Sequence, residues 1–318
     1  MTSSTKRRFR SAKAIELFAC VLIIAACTPA EQASQVSNAV HGPPQVYTVN
    51  YPLAYFAERI AGDSVKVVFP APADIDPATW SPPAETVAEY QQADLVLLNG
   101  AGYAGWIQRV TLSQSRLVDT TASLADRLIP VADDVTHSHG PGGDHSHADT
   151  AITTWLDVEL AIGQARAVCD ALVLLRPENE AEFLERLSKL EVDLRALDEG
   201  LRDVARRIGG VPLFLSHPVY QYLVRRYELN GYSFHWEPQE MPDEGQWREL
   251  SAAIQNHAAA WMIWEDEPHP DIVRQLADKG IGSLVFRPGG NRPAGGDFIS
   301  IMRDNVRALE LAIPESAL

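Results

Sequence analysis

From Gln45 onward, short runs rich in β-branched and aromatic residues alternate with stretches of helical period. The runs at 46–49, 65–69, 95–99 and 117–119 predict one set of four strands, and those at 213–216, 233–236, 261–264 and 283–286 predict a second. Strands interleaved with helices mark an α/β chain. Two sets of four predict two similar lobes, each a mostly parallel sheet flanked by helices. Between them lies one long helical pattern, 178–208. Its apolar positions Phe183, Leu187, Leu190, Leu194, Leu197, Leu201, Val204 and Ile208 alternate steps of four and three, so they form one narrow stripe. Pro177 stands where a helix start tolerates proline, and Gly209-Gly210 ends the pattern. At 1.5 Å per residue, ~31 residues make a helix ~46 Å long. A coiled coil would show the same stripe, but this repeat fills one segment of an α/β pattern, which favours a rigid strut joining both lobes.

The first 26 residues follow a different logic. Lys6, Arg7, Arg8, Arg10 and Lys13 precede an apolar run from Leu17 to Ala26. That run, of ~10 residues, is half of what a membrane span needs and reads as the core of a signal peptide. It ends Ile24-Ala25-Ala26-Cys27, which resembles the bacterial lipobox, where the cysteine is acylated and becomes the first mature residue. The polar stretch up to residue 44 then reads as a tether. The expected organisation is a signal peptide at 1–26, a tether at 27–44, an N-terminal lobe at 45–177, a linking helix at 178–208 and a C-terminal lobe at 209–318. Such a protein is extracytoplasmic, monomeric and held to a membrane by lipid on Cys27.

Charge narrows the partners. Without residues 1–26 the chain holds 22 Lys and Arg against 41 Asp and Glu, a net charge of −19. That surface repels nucleic acid and suits cations. Cys27 and Cys169 are the mature cysteines, and lipid on Cys27 leaves no intrachain disulfide.

Several segments stand in order along the mature chain: Tyr51-Pro52-Leu53, Ile60-Ala61-Gly62-Asp63, Gln92-Ala93-Asp94-Leu95 continuing to Asn99-Gly100-Ala101-Gly102, Trp155-Leu156-Asp157, Ser216-His217-Pro218-Val219-Tyr220-Gln221-Tyr222, and Gly296-Asp297-Phe298. Together they resemble the zinc- and manganese-binding solute receptors of bacterial ABC importers. The resemblance implies two α/β lobes joined by one long helix, a Zn2+ or alternatively Mn2+ ion held between them, and a membrane permease as partner. It also implies four ligand positions, and this chain departs from most of them. The first two are occupied by Ala78 and Thr153, the third is His217, and the fourth falls at Arg287, which cannot ligate a cation.

Three readings of the cleft follow. It binds a divalent metal through a rearranged shell drawn from His217, His235, Glu237, Glu265 and Glu267. Or it takes an organic anion or metal chelate, with Arg287 pairing the ligand and Trp80 and Trp155 as apolar walls. Or Arg287 neutralises Glu265 in a closed cleft and metal is left to the histidine-rich insert at 137–149. That insert places His137, His139, His145 and His147 among glycines, a spacing that lets neighbouring imidazoles share a borderline cation weakly. It resembles the histidine-rich loop of the zinc receptors. No nucleophile elbow, P-loop, dinucleotide fingerprint or HExxH run is present, so binding rather than enzymatic catalysis is expected. A metal-buffering or chaperone lipoprotein without a transporter is the alternative.

Overall fold

Runs such as Leu95–Leu98 are apolar on both faces, and a parallel sheet covered by helices on both sides buries them. The computed structural model describes residues 42–131, 137–138, 144–145 and 150–313. The signal segment, Cys27 and the tether as far as residue 41 lie outside the described residues, as do His139 and His147. The first sheet contains β1 (Gln45–Thr48), β2 (Lys66–Val68), β3 (Leu95–Leu98) and β4 (Leu117–Asp119) in the order β2-β1-β3-β4. A two-residue ladder follows, β5 (His137–Ser138) against β6 (Asp144–His145), with His137 opposite His145. The second sheet contains β7 (Pro212–Leu215), β8 (Asn230–Ser233), β9 (Trp261–Trp264) and β10 (Gly282–Val285) in the order β10-β9-β7-β8. Every pair in both four-stranded sheets is parallel. Counted from its own first strand, each sheet runs 2-1-3-4, so the expected likeness of the two halves extends to their topology.

Eight helices are described: α1 (Tyr51–Ala61), α2 (Ala84–Gln92), α3 (Val158–Leu175), α4 (Glu180–Ile208), α5 (Gln221–Tyr227), α6 (Glu244–Asn256), α7 (Pro270–Ala277) and α8 (Phe298–Leu309). None is long and apolar enough to cross a membrane. Local chemistry starts them. Asn50, Asp157, Asp243 and Asp297 each accept a main-chain N–H from the first turn of the helix that follows.

The long helix is 29 residues, entered through a 3-10 turn at Pro177–Asn179 and closed by Gly209 in the left-handed region. Its stripe is buried as expected at Phe183, Leu190, Leu194, Leu197, Leu201, Val204 and Ile208, with Leu187 partly covered. It packs on α1 and α3 of the first half and on α5 and α8 of the second. One apolar core therefore runs without a break through both halves. A smaller core, around Phe214, Phe234, Trp236 and Trp264, lies within the second half.

One strand differs from expectation. The sequence predicts 233–236, but β8 occupies Asn230–Ser233. β8 is an edge strand with mostly exposed side chains, so it lacks an apolar signature. Phe234 and Trp236 are buried just past its end, in the smaller core.

Candidate functional site

A parallel sheet whose strand order reverses opens a crevice at the carboxyl ends of the two strands that flank the reversal. In the second sheet those strands are β7 and β9. The chain leaves β7 through Ser216 to His217 and leaves β9 at Glu265. Beyond β8 it stays extended, with Trp236 N–H donating to Ser216 O at 2.7 Å. Phe234 and Trp236 are fully buried there, and the intervening His235 and the following Glu237 are half-buried. The rings of His217 and His235 meet edge to face at 5.9 Å, and His217 Nε2 stands 3.7 Å from Glu237 Oε1.

Glu265 completes this group. Burial, with Glu237, Asp76 and Asp266 adding repulsion, pushes its carboxyl up to about 8. Asp76 comes from the first lobe, in the segment between β2 and α2, and caps its own turn by accepting from Ala78 N–H at 2.9 Å. Asp76 lies outside the donor set expected from the sequence; its signal is a carboxylate two positions before Ala78, one of the implied ligand positions. Three of the expected donors from the second lobe, His217, His235 and Glu237, are thus together, with Glu265 electrostatically coupled to Glu237. Among the described residues, no three His, Cys, Asp or Glu side chains are already drawn close enough to hold an ion.

The other expected residues are placed elsewhere. Glu267 is exposed and paired with Arg287 at 3.0 Å, and Arg287 also binds Asp266 at 3.2 Å. Arg287 therefore pairs with the two acids that follow Glu265, at the solvent edge, rather than with Glu265 itself. Its main chain is clasped by buried Asn305, which accepts from Arg287 N–H and donates to Arg287 O. Trp80 and Trp155 are both buried rather than presented as open walls. The Trp155 indole N–H reaches across the lobes to Pro288 O at 2.7 Å.

Thr153 also ties the lobes. Its hydroxyl donates to Val219 O at 2.5 Å, and Val219 N–H in turn closes the turn onto His217 O. A residue at an expected ligand position thus holds the His217 segment in place. Thr153→Ala should cost about 1 kcal/mol of unfolding free energy, the ordinary net value of one hydrogen bond. Thr153→Ser should retain it, and urea denaturation of the two variants checks the pair.

The corresponding crevice of the first sheet is filled differently. Asn50 after β1 donates to Asn99 after β3 at 3.0 Å, and Gln164 and Thr154 join the same buried network. The network holds a loop in which Gly100, Ala101, Gly102 and Ala104 all have positive φ. Left-handed alanines are uncommon and persist where their surroundings fix them. This loop carries Tyr103 into the lobe interface, edge-on to Trp155 at 5.6 Å.

A family model described as zinc-uptake complex component A, periplasmic (ZnuA), matches residues 46–312. Zinc-binding lipoprotein AdcA of Streptococcus pneumoniae serotype 4 is 24% identical over 302 residues, spanning 92% of this chain and 58% of the relative. The chain therefore spans little more than half the length of that lipoprotein. High-affinity zinc uptake system protein ZnuA of Bacillus subtilis is 24% identical over 305 residues, spanning 92% of this chain and 94% of the relative. The Zn(II)-bound ZnuA-like domain of S. pneumoniae AdcA superposes with a TM-score of 0.72 at 21% identity, over 86% of this chain and 99% of that domain. At that identity the likeness shows the fold.

Proposed function

We propose that this chain, which belongs to the periplasmic zinc-uptake component A family, captures a divalent cation at the carboxyl end of its second sheet and hands it to the permease of an ABC importer. The observation that carries this reading is Glu265, a carboxyl half-buried beside Glu237 and Asp76 with two imidazoles, His217 and His235, in the same crevice. Carboxylates crowded in this way repel one another until a cation enters. Zinc is the first choice because imidazole and carboxylate together suit it; Mn2+, named for one relative, is the alternative. In the alternative organic-anion reading, the ligand competes with Asp266 and Glu267 for Arg287.

The role is binding rather than catalysis. Capture takes place between an N-terminal lobe at 45–177 and a C-terminal lobe at 209–318, and the linking helix at 178–208 keeps closure small. The protein acts as a monomer outside the cytoplasm, tethered by lipid on Cys27, and His137, His139, His145 and His147 gather zinc weakly for the cleft.

Calorimetry on residues 28–318 tests the assignment. Zn2+ should bind in two classes, and deleting 137–147 should remove the weak one. His217→Ala should remove the tighter class. Unchanged tight binding in His217→Ala would show that the ligand assignment is wrong, and no binding beyond the loop would end the cleft reading.

A further inference from the structure

Several buried polar atoms of the described residues have no hydrogen-bond partner, and one of them, the Tyr103 hydroxyl, lies where the lobes meet, within the field of the same Asp76 that acts on Glu265. Tyr103 is 8% exposed, and its hydroxyl has no hydrogen-bond partner among the described residues. It does not arrive there by chance packing. Its N–H bonds Gly100 O at 3.0 Å, its ring is set edge-on to Trp155, and the loop around it holds two alanines in the left-handed region. The hydroxyl looks across to the second lobe, where a Cβ on Gly290 would come within 3.3 Å of it. Burial, and then Asp76, raise this phenol well above its ordinary value, so it stays neutral and can both donate and accept.

A buried hydroxyl without a partner is unfavourable in the empty protein and is satisfied if the cargo brings an oxygen with it. The residues at two expected first-lobe ligand positions, Ala78 and Thr153, supply little to a cation, since Thr153 is already bonded to Val219. An ion short of protein donors keeps water in its shell, and the O–H groups of that water need acceptors. We propose that Tyr103 is a binding residue for this water: its hydroxyl hydrogen-bonds an oxygen carried on the ion, so that the cargo is a partly aquated divalent cation. The inference rests on the cation-capture reading and specifies the form in which the ion is held.

The test uses the mature protein with Zn2+ and Co2+ as probes. Tyr103→Phe keeps the ring against Trp155 and removes only the hydroxyl. Its cation-free melting temperature should match or exceed that of the wild type, while the tight Zn2+ class weakens about tenfold, the effect of one buried hydrogen bond. The visible bands of the Co2+ form should change as the coordinated water is released, a readout that a purely structural residue would not move. Gly290→Ala, which crowds the hydroxyl without altering it, should weaken Zn2+ in the same direction and decides the matter if Tyr103→Phe fails to fold. Wild-type Zn2+ affinity and Co2+ bands in the Phe variant overturn the inference, and the capture reading survives if Glu265→Gln still loses tight binding. Wild-type affinity in Glu265→Gln overturns both.

Discussion

Glu265→Gln should abolish the tight class of cation binding and at the same time make the cation-free protein more stable at neutral and alkaline pH. Both effects come from the same carboxyl. In the folded chain burial and the neighbouring Glu237, Asp76 and Asp266 raise it from 4.5 to about 8. Between those values the unfolded chain has released the proton and the folded chain still holds it, so stability falls as pH rises and levels off above about 8. Glutamine has no proton to lose and removes that decline. A cation entering the crevice displaces the proton, so wild-type affinity should rise about tenfold per pH unit up to about pH 8 if one proton is released. Even groups that only orient a metal's ligands are worth 10–100-fold in affinity, so loss of a charged ligand should cost on the order of 100-fold or more. Thermal melts of both proteins from pH 6 to 9, with Zn2+ titrations at each pH, give the result. A Gln variant that binds normally, or that is less stable than wild type at pH 8.5, contradicts the assignment.

Arg226→Met should destabilise the fold by about 3 kcal/mol. Arg226 lies on α5 of the second half with its side chain 9% exposed. It makes a forked pair with Asp198 on the long helix, at 2.9 and 2.8 Å, and reaches Asp157 at 3.3 Å, where Asp157 caps α3 of the first half. Tyr227 adds a hydrogen bond to Asp198 at 2.9 Å. One guanidinium thus joins both halves to the strut that connects them. Breaking a buried ion pair by removing one partner typically costs 3–5 kcal/mol, because the other charge is left uncompensated. The lower end applies here, because Arg202 still serves Asp198, and Arg127 and Arg225 still serve Asp157.

Burial alone would raise Asp198, but hydrogen bonds from Arg226, Arg202 and Tyr227 outweigh it and hold the carboxyl below its usual value. That stabilisation is present above the unfolded pKa and is lost as pH falls through the folded one, so the difference between wild type and variant should shrink in acid. Urea denaturation measures both. A loss under 1 kcal/mol at pH 7 would show that the cluster is dispensable, whereas partial recovery in Arg226→Met with Asp198→Asn would confirm that the stranded charge causes the loss.

The features legible in the linear order are those whose cause is local. The stripe from Phe183 to Ile208 predicted the strut, since every residue that buries it recurs at helical spacing on one segment. Apolar runs such as Leu95–Leu98 and Trp261–Trp264 announced covered parallel strands for the same reason. β8 lies three residues earlier than the apolar pattern predicts, because an edge strand of Asn, Gly, Tyr and Ser buries little, whereas Phe234 and Trp236 beyond it are fully buried. The binding end was less legible. His217, His235, Glu237 and Glu265 could be nominated from their places after strands, but their meeting depends on the 2-1-3-4 order that sets β7 beside β9. The roles of Asp76, Tyr103 and Arg226, like the diversion of Arg287 to Asp266 and Glu267, depend on groups far apart in sequence. Burial, repulsion and ion pairing act through space. The sequence therefore determined the elements and the chemistry available to this protein, and only the tertiary structure decided which of those groups face one another.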